Sequence, residues 1–135
     1  NKQIEEGKRE RIRSIVESIE PTLTEEDGIV LIARQADFLP DIVKGIAFGL
    51  KPKFPNLVFV IGSAVGGKPA LTVMLGDEIV SRGVDASKVV REAAKEISGG
   101  GGGQPFYATA GGKDVAGIEK AIFRAVELIK TQLKR

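Results

Sequence analysis

The stretch GIVLIARQADFLPDIVKGIAFGLKPKFPNLVFVI, residues 28–61, decides the fold of this 135-residue chain. Gly28 opens Ile29-Val30-Leu31-Ile32-Ala33-Arg34, a near-continuous apolar run of the kind covered on both faces of a sheet. Asp37 and Asp41 flank Pro40 at a helix start, and Ile42, Val43, Ile46 and Leu50 then recur on one face until Lys51-Pro52 stops the helix. Leu57-Val58-Phe59-Val60-Ile61 is a second apolar strand. Strand, helix, strand in this order is a βαβ unit, which implies parallel pairing through a right-handed crossover. Gly45 and Gly49, four apart, predict that this helix lies close to the sheet.

Downstream, Gly62 to Lys68 reads as a glycine-punctuated turn, and Pro69 to Leu75 as a third strand in hairpin with the second. Asp85 is an N-cap for a helix that buries Val89, Val90, Ala93, Ala94 and Ile97. Five glycines, Gly99 to Gly103, follow directly. Phe106 to Ala110 is long enough for a short strand, and Gly111-Gly112 turns the chain into a last helix from about Asp114, with Val115, Ile118, Ile122, Ala125, Val126, Ile129 and Leu133 on its apolar face. Upstream, Ile4, Ile12, Ile15, Val16 and Ile19 form a narrow stripe on a first helix, which Pro21 ends. The expected fold class is α/β: a small mixed β-sheet with packed helices, preceded by an N-terminal helix. Residues 1–22 read as a helical arm or the end of an upstream helical segment, and 23–135 as one globular domain. Asn1 stands inside a helical pattern without an initiator Met, so the chain reads as a piece of something longer.

The chain has no cysteine, histidine or tryptophan. That excludes disulfides, Cys/His zinc sites, Ser-His and Cys-His nucleophile pairs, and imidazole as a general base. No residue stands out as a general acid, base or nucleophile, and Asp77-Glu78 and Glu25-Glu26-Asp27 read as acidic caps and turns. A chain of this length buries roughly two-thirds of its unfolded surface without needing staples. No apolar run reaches about 18 residues and no signal-peptide pattern is present, so the expectation is a soluble, cytoplasmic protein with no membrane partner. The formal net charge is +2, unevenly spread: residues 98–135 hold six basic against three acidic side chains.

Five consecutive glycines exceed what a turn needs, and bare backbone is useful where something bulky must lie against it. The first candidate site is therefore Gly99, Gly100, Gly101, Gly102 and Gly103, whose N–H groups are expected to form a concave nest for phosphate oxygens, joined by Gly111, Gly112 and Lys113 at a helix start. The alternative is that the glycines serve as a linker or permit close packing of elements. Neither a Walker loop nor a dinucleotide fingerprint fits: Gly66-Gly67-Lys68 runs into Pro69, and the five glycines follow a helix rather than a strand. Lys88, Arg91 and Lys95, at i, i+3 and i+7, form a cationic stripe suited to a phosphodiester backbone or, more simply, to solvent. Lys120, Arg124 and Lys130 lie on the final helix, and Lys134 and Arg135 suit its C-terminal dipole. Of Phe106 and Tyr107, one is expected in the core and Tyr107 is the better platform for an unpaired base.

The run Ser98-Gly99-Gly100-Gly101-Gly102-Gly103-Gln104-Pro105-Phe106-Tyr107-Ala108-Thr109-Ala110-Gly111-Gly112-Lys113-Asp114 resembles the glycine-rich signature near the carboxyl end of bacterial alanyl-tRNA synthetases, the domain called DHHA1 or C-Ala. The resemblance extends in element order over essentially the whole chain. It implies an accessory tRNA-binding domain of an alanine–tRNA ligase, contacting the outer corner of alanine tRNA and helping to coordinate aminoacylation with editing by upstream domains. The same resemblance implies no catalytic residue and no cofactor or metal in these residues, ATP, Mg and Zn belonging to the parent's other domains. A homodimer through the N-terminal helix is a further possible partner. The family pattern often has Arg-Pro-Asp after the glycines, whereas Gln104-Pro105-Phe106 stands here, so a neutral amide takes the place of a guanidinium. The alternative is the substrate-binding domain of a DHH-type phosphoesterase. Related phosphoesterases carry Gly-Gly-Gly-His, and this chain has Gln104 after its glycines and no histidine.

Overall fold

The structure, a computed structural model, describes residues 2–133, with side chains from Gly7 onward. The Ile4 side chain and residues Lys134 and Arg135 lie outside the described residues. The elements are α1 (Lys2–Ile19), β1 (Glu25–Glu26), β2 (Ile29–Gln35), α2 (Pro40–Leu50), β3 (Leu57–Val65), β4 (Lys68–Leu75), α3 (Asp77–Ser81), α4 (Ala86–Ala93), β5 (Gly100–Gly103), β6 (Tyr107–Gly111) and α5 (Ile118–Leu133). One six-stranded sheet has the order β1-β2-β3-β4-β6-β5. Only β2 and β3 pair in parallel, with Val30 opposite Leu57, as the βαβ reading requires; every other pair is antiparallel.

Two tight turns set the register of the antiparallel part. Asp27 and Gly28 have φ of 53° and 79° between β1 and β2, and Gly66 and Gly67 have φ of 62° and 74° between β3 and β4. Left-handed pairs of this kind match the twist of the strands they join.

Alternation along each strand divides the core in two. Val58, Val60, Leu71, Val73, Leu75, Ala108 and Ala110 face α4 and α5, whereas Leu57, Phe59, Ile61 and Met74 face α1 and α2. Helices therefore cover both faces, which explains why β2, β3 and β4 read as apolar runs without alternation. The packing of α1 corrects the reading of Gly45 and Gly49. A Cβ at Gly45 would collide with the Ile12 side chain, and one at Gly49 would come within 3.0 Å of Val16 Cγ2. These glycines admit α1 against α2, not α2 against the sheet. The first helix packs on the body of the domain: Val16 is buried, Ile12, Ile15 and Ile19 pack beside it, a Lys8–Asp41 ion pair ties α1 to α2, and a Lys53 Nζ–Glu20 Oε2 bond of 2.9 Å ties down the turn that follows α1.

Candidate nucleic-acid interface

The glycine run is a strand. Gly100 to Gly103 form β5, the last strand of the sheet, paired with β6 from Gly100 opposite Gly111 to Gly103 opposite Ala108. At the hairpin end Gln104 N–H donates to Tyr107 O (2.8 Å) and Tyr107 N–H to Gln104 O (3.3 Å). Antiparallel pairs alternate between bonded and non-bonded, so Gly102 and Gly100 continue the bonded set. Gly101 and Gly103 direct their N–H and C=O groups away from β6, along an open edge.

This overturns the expected concave nest. Most of its donors are already engaged inside the protein. Ser98, with φ of 54°, closes the helical segment after α4 in a Schellman motif in which Ser98 N–H donates to Lys95 O (3.2 Å) and Gly99 N–H to Ala94 O (3.0 Å). Gly112 N–H donates to Pro69 O (3.1 Å) and Lys113 N–H to Ile97 O (2.8 Å). The helix start after Gly111-Gly112 is likewise capped from within, because the Asp114 carboxylate accepts from Ala116 N–H at 3.1 Å. The bulky thing that lies against the bare backbone is, in large part, β6. A Cβ on Gly101 would run into Thr109 O and stand 2.5 Å from Ala110 Cα, and Cβ atoms on Gly99 and Gly103 would meet the same strand and its extension. By contrast, a Cβ on Gly100 would meet nothing within 4 Å, and one on Gly102 would make ordinary contacts with Ser87 Oγ at 3.6 Å and Arg91 Nε at 3.7 Å.

The nearness of Gly102 to Arg91 brings two candidate features together. Ala86 N–H donates to Pro105 O (2.8 Å) at one end of α4, and Gly99 N–H reaches Ala94 O beyond the other, so α4 runs antiparallel alongside β5. Asp85 caps α4 by accepting from Ser87 N–H at 2.9 Å, as the sequence predicts. Ser87 and Arg91, one turn apart, lie toward the glycine edge, and the helical period puts Lys88 and Lys95 on the flank next to them. All three cations are exposed. Lys95 Nζ is held by Glu92 Oε2 at 3.2 Å, and Arg124 Nη2 approaches the same carboxylate at 3.6 Å. The Lys95 bond, with Arg124 behind it, holds the Glu92 carboxyl below its usual range. Among the described residues no ion pair engages Lys88 or Arg91. Arg124 therefore belongs to this carboxylate-centred network on the back of the helix.

The far end of the edge holds a cation that sequence reasoning passed over. The Gly66-Gly67 turn delivers Lys68 into a shallow depression shared with Ser98, Gly99, Gly111, Gly112 and Lys113. The signal was present in the hairpin, whose register places Lys68 close to the Ala70–Gly111 pair. At the near end, the Tyr107 ring is half-buried and tilted 57° against Phe48 at 5.1 Å, and Phe106 meets Phe48 edge-on at 6.5 Å. Burial pushes the Tyr107 phenol pKa up, so it stays a neutral hydroxyl at physiological pH. Both Phe106 and Tyr107 pack partly into the core, and the exposed ring of the group is Phe48 on α2, at 41%.

Among the described residues no three His, Cys, Asp or Glu side chains come together as a metal-binding group, and no helix is long and apolar enough to cross a membrane. Residues 27–135 match the DHHA1 domain. The chain is 46% identical over 128 residues to the alanine–tRNA ligase of Bacteroides thetaiotaomicron, covering 94% of this chain and 15% of that protein. It is 42% identical over 132 residues to that of Cytophaga hutchinsonii, covering 96% and 15%. The chain thus spans about a seventh of the length of these relatives. The crystal structure of the C-Ala domain of Aquifex aeolicus alanyl-tRNA synthetase superposes with a TM-score of 0.65 at 28% identity, over 84% of this chain and 98% of that one. The resemblance carried by residues 98–114 is borne out, and the chain belongs to the DHHA1 domain family.

Proposed function

We infer that this chain is a tRNA-binding accessory domain, the carboxyl-terminal part of an alanine–tRNA ligase, which lies against the outer corner of alanine tRNA and helps to coordinate aminoacylation with editing by upstream domains. One observation carries the reading beyond family membership. Arg91 and Lys88, free of ion partners among the described residues, stand beside the open edge of β5, with Lys113 and Lys68 at its far end. Cations in a row next to unpaired backbone donors suit a phosphodiester strand, whose phosphates accept from both. The site holds ligand and positions it; no group in it performs chemistry.

A gel-shift titration of alanine tRNA over a salt series tests this. Binding should weaken as salt rises, and changing Lys88 and Arg91 to Ala should reduce the slope of log K against log salt by about one for each phosphate left without its cation. Lys130→Ala, whose side chain lies with Glu26 and Ile29 at the opposite end of the sheet from β5, should leave the slope alone. Binding that ignores salt, or a double variant that behaves like the parent, would overturn the assignment. Tight binding of short phosphodiesters with no response to tRNA would favour the phosphoesterase-type alternative.

A further inference from the structure

We propose that the open edge of β5 reads the ribose of its nucleic-acid partner: the Gly101 and Gly103 carbonyls accept from 2′-hydroxyl groups while their N–H groups donate to phosphates, so that the domain selects RNA over DNA through its main chain. The inference rests on the nucleic-acid-binding reading above and names the feature by which that site discriminates.

Strand geometry supplies the first argument. Within β5 the residues that point outward are Gly101 and Gly103, each offering one donor and one acceptor in the same direction. The two positions are separated by two residues of strand, about 6.7 Å. That repeat is close to the step between successive nucleotides of a sugar-phosphate chain, each of which offers an acceptor-rich phosphate and, in RNA alone, a hydroxyl donor. A second argument is that the edge is unprotected. Sheet edges are ordinarily blunted by charged side chains, proline or a covering element. Here four exposed or half-exposed glycines carry no side chain at all, and the space where a Cβ would lie is empty at Gly100 and uncrowded at Gly102. A strand of this kind admits a partner's backbone to hydrogen-bonding distance. The third argument is charge: Arg91 beside Gly102 and exposed Lys88 on the same flank of α4, with Lys113 and Lys68 at one end, make the edge complementary to a polyanion rather than to an added peptide strand.

The test measures binding of four forms of one alanine tRNA sequence by anisotropy at fixed salt: the RNA transcript, its all-deoxy counterpart, and 2′-O-methyl and 2′-fluoro forms. The last two keep the RNA sugar pucker but lack the hydroxyl donor. Loss of two hydrogen bonds should weaken all three modified forms by about tenfold or more. Arg91→Ala should weaken RNA and DNA alike and leave their ratio unchanged. Gly100→Leu, at a position where the added side chain meets nothing, should keep the fold by circular dichroism and bring RNA down to the level of DNA by holding the partner off the edge. Equal affinity for RNA and DNA overturns the ribose reading and leaves the nucleic-acid reading standing. A 2′-fluoro form that binds like RNA assigns the preference to helix shape and also overturns it, as does a Gly100→Leu protein that keeps its full preference. Binding of none of the four forms, or pairing of this edge with an extended peptide or a second copy of the chain, overturns both readings together.

Discussion

An alanine scan across Gly99 to Gly103 should destabilise the protein in alternation. The odd positions point a prospective Cβ at the neighbouring strand. On Gly99 it would stand 2.5 Å from Gly112 Cα, on Gly101 2.5 Å from Ala110 Cα and 2.7 Å from Ala110 Cβ, and on Gly103 2.6 Å from Tyr107 O. Ordinary contact begins near 3.4 Å, so β5 would have to move off β6 by the better part of an ångström, stretching the bonds at the Gly102–Thr109 and Gly100–Gly111 pairs. Overpacking of this kind costs about 1–3 kcal/mol, and the strained ladder adds to it, giving about 3 kcal/mol at Gly101. For 135 residues the unfolding entropy near the midpoint is about 0.28 kcal/mol/K, so Gly101→Ala should lower Tm by about 10 °C. Gly100→Ala meets open space and Gly102→Ala only ordinary contacts, so both should lie within about 0.5 kcal/mol of the parent or be slightly more stable, alanine having fewer unfolded conformations to lose. Thermal melts followed by circular dichroism, with urea unfolding as a check, measure all five. Equal losses at every position, or larger losses at Gly100 and Gly102 than at Gly101, would refute the packing argument and restore the glycines as a flexible loop.

Further outcomes follow from the same structure. Ser98→Gly should raise stability by up to about 1 kcal/mol, because Ser98 closes its helix at φ 54° where glycine carries no steric cost; urea midpoints check this. Asp85→Ala should cost about 1 kcal/mol in the same assay, through the lost cap on Ser87 N–H, and weaken tRNA binding by loosening the turn that carries Lys88. Gly45→Leu should separate α1 from α2 and make the segment around Arg13 newly susceptible to trypsin, while Gly7→Ala, which meets nothing, leaves the digest unchanged. Asp37 accepts from Gln35 Nε2 and from Ala64 N–H, both at 2.9 Å, and these bonds hold its carboxyl below the ordinary value of 3.8. A folded-state pKa that is lowered stabilises above the unfolded pKa and ceases to do so as pH falls through the folded value. The parent should therefore lose more Tm than Asp37→Asn between about pH 5 and pH 2, and identical acid profiles would contradict the assignment.

The parts of this fold that a linear reading recovers are those written in side chains. The apolar runs 29–34 and 57–61, the Asp85 cap and the period of α5 all survive in the structure because each depends on local chemistry or on a repeat. Gly45 and Gly49 were legible as a close approach but not as to what approaches, since Ile12 and Val16 lie some thirty residues earlier. The glycine run misleads for a deeper reason. A strand made of glycine has no alternation of apolar and polar residues, the strand signal that a sequence carries most plainly, so β5 is specified by its partner β6 and by α4. The cationic stripe was legible as spacing; its position beside the open edge follows from the Schellman turn at Ser98 that folds the chain back along α4. Lys68 escaped because its place beside Lys113 depends on strand register rather than on neighbouring residues.

A surface built from β5 has an unusual relation to mutation. The groups proposed to recognise the partner belong to the peptide bond, which every amino acid but proline carries in full, so no substitution other than proline, which deletes the N–H, alters a donor or an acceptor. At Gly99, Gly101 and Gly103 most substitutions are also barred by collision with β6 and its extension. Adjustment of such a surface by substitution is left to the bordering positions, Lys88, Arg91, Lys95, Lys113, Lys68 and Gln104, where a side chain can be gained, lost or reversed in sign. On the proposed reading the edge is a fixed ruler and its border the adjustable scale, so that substitutions at the border would change affinity while the spacing set by the strand stays the same.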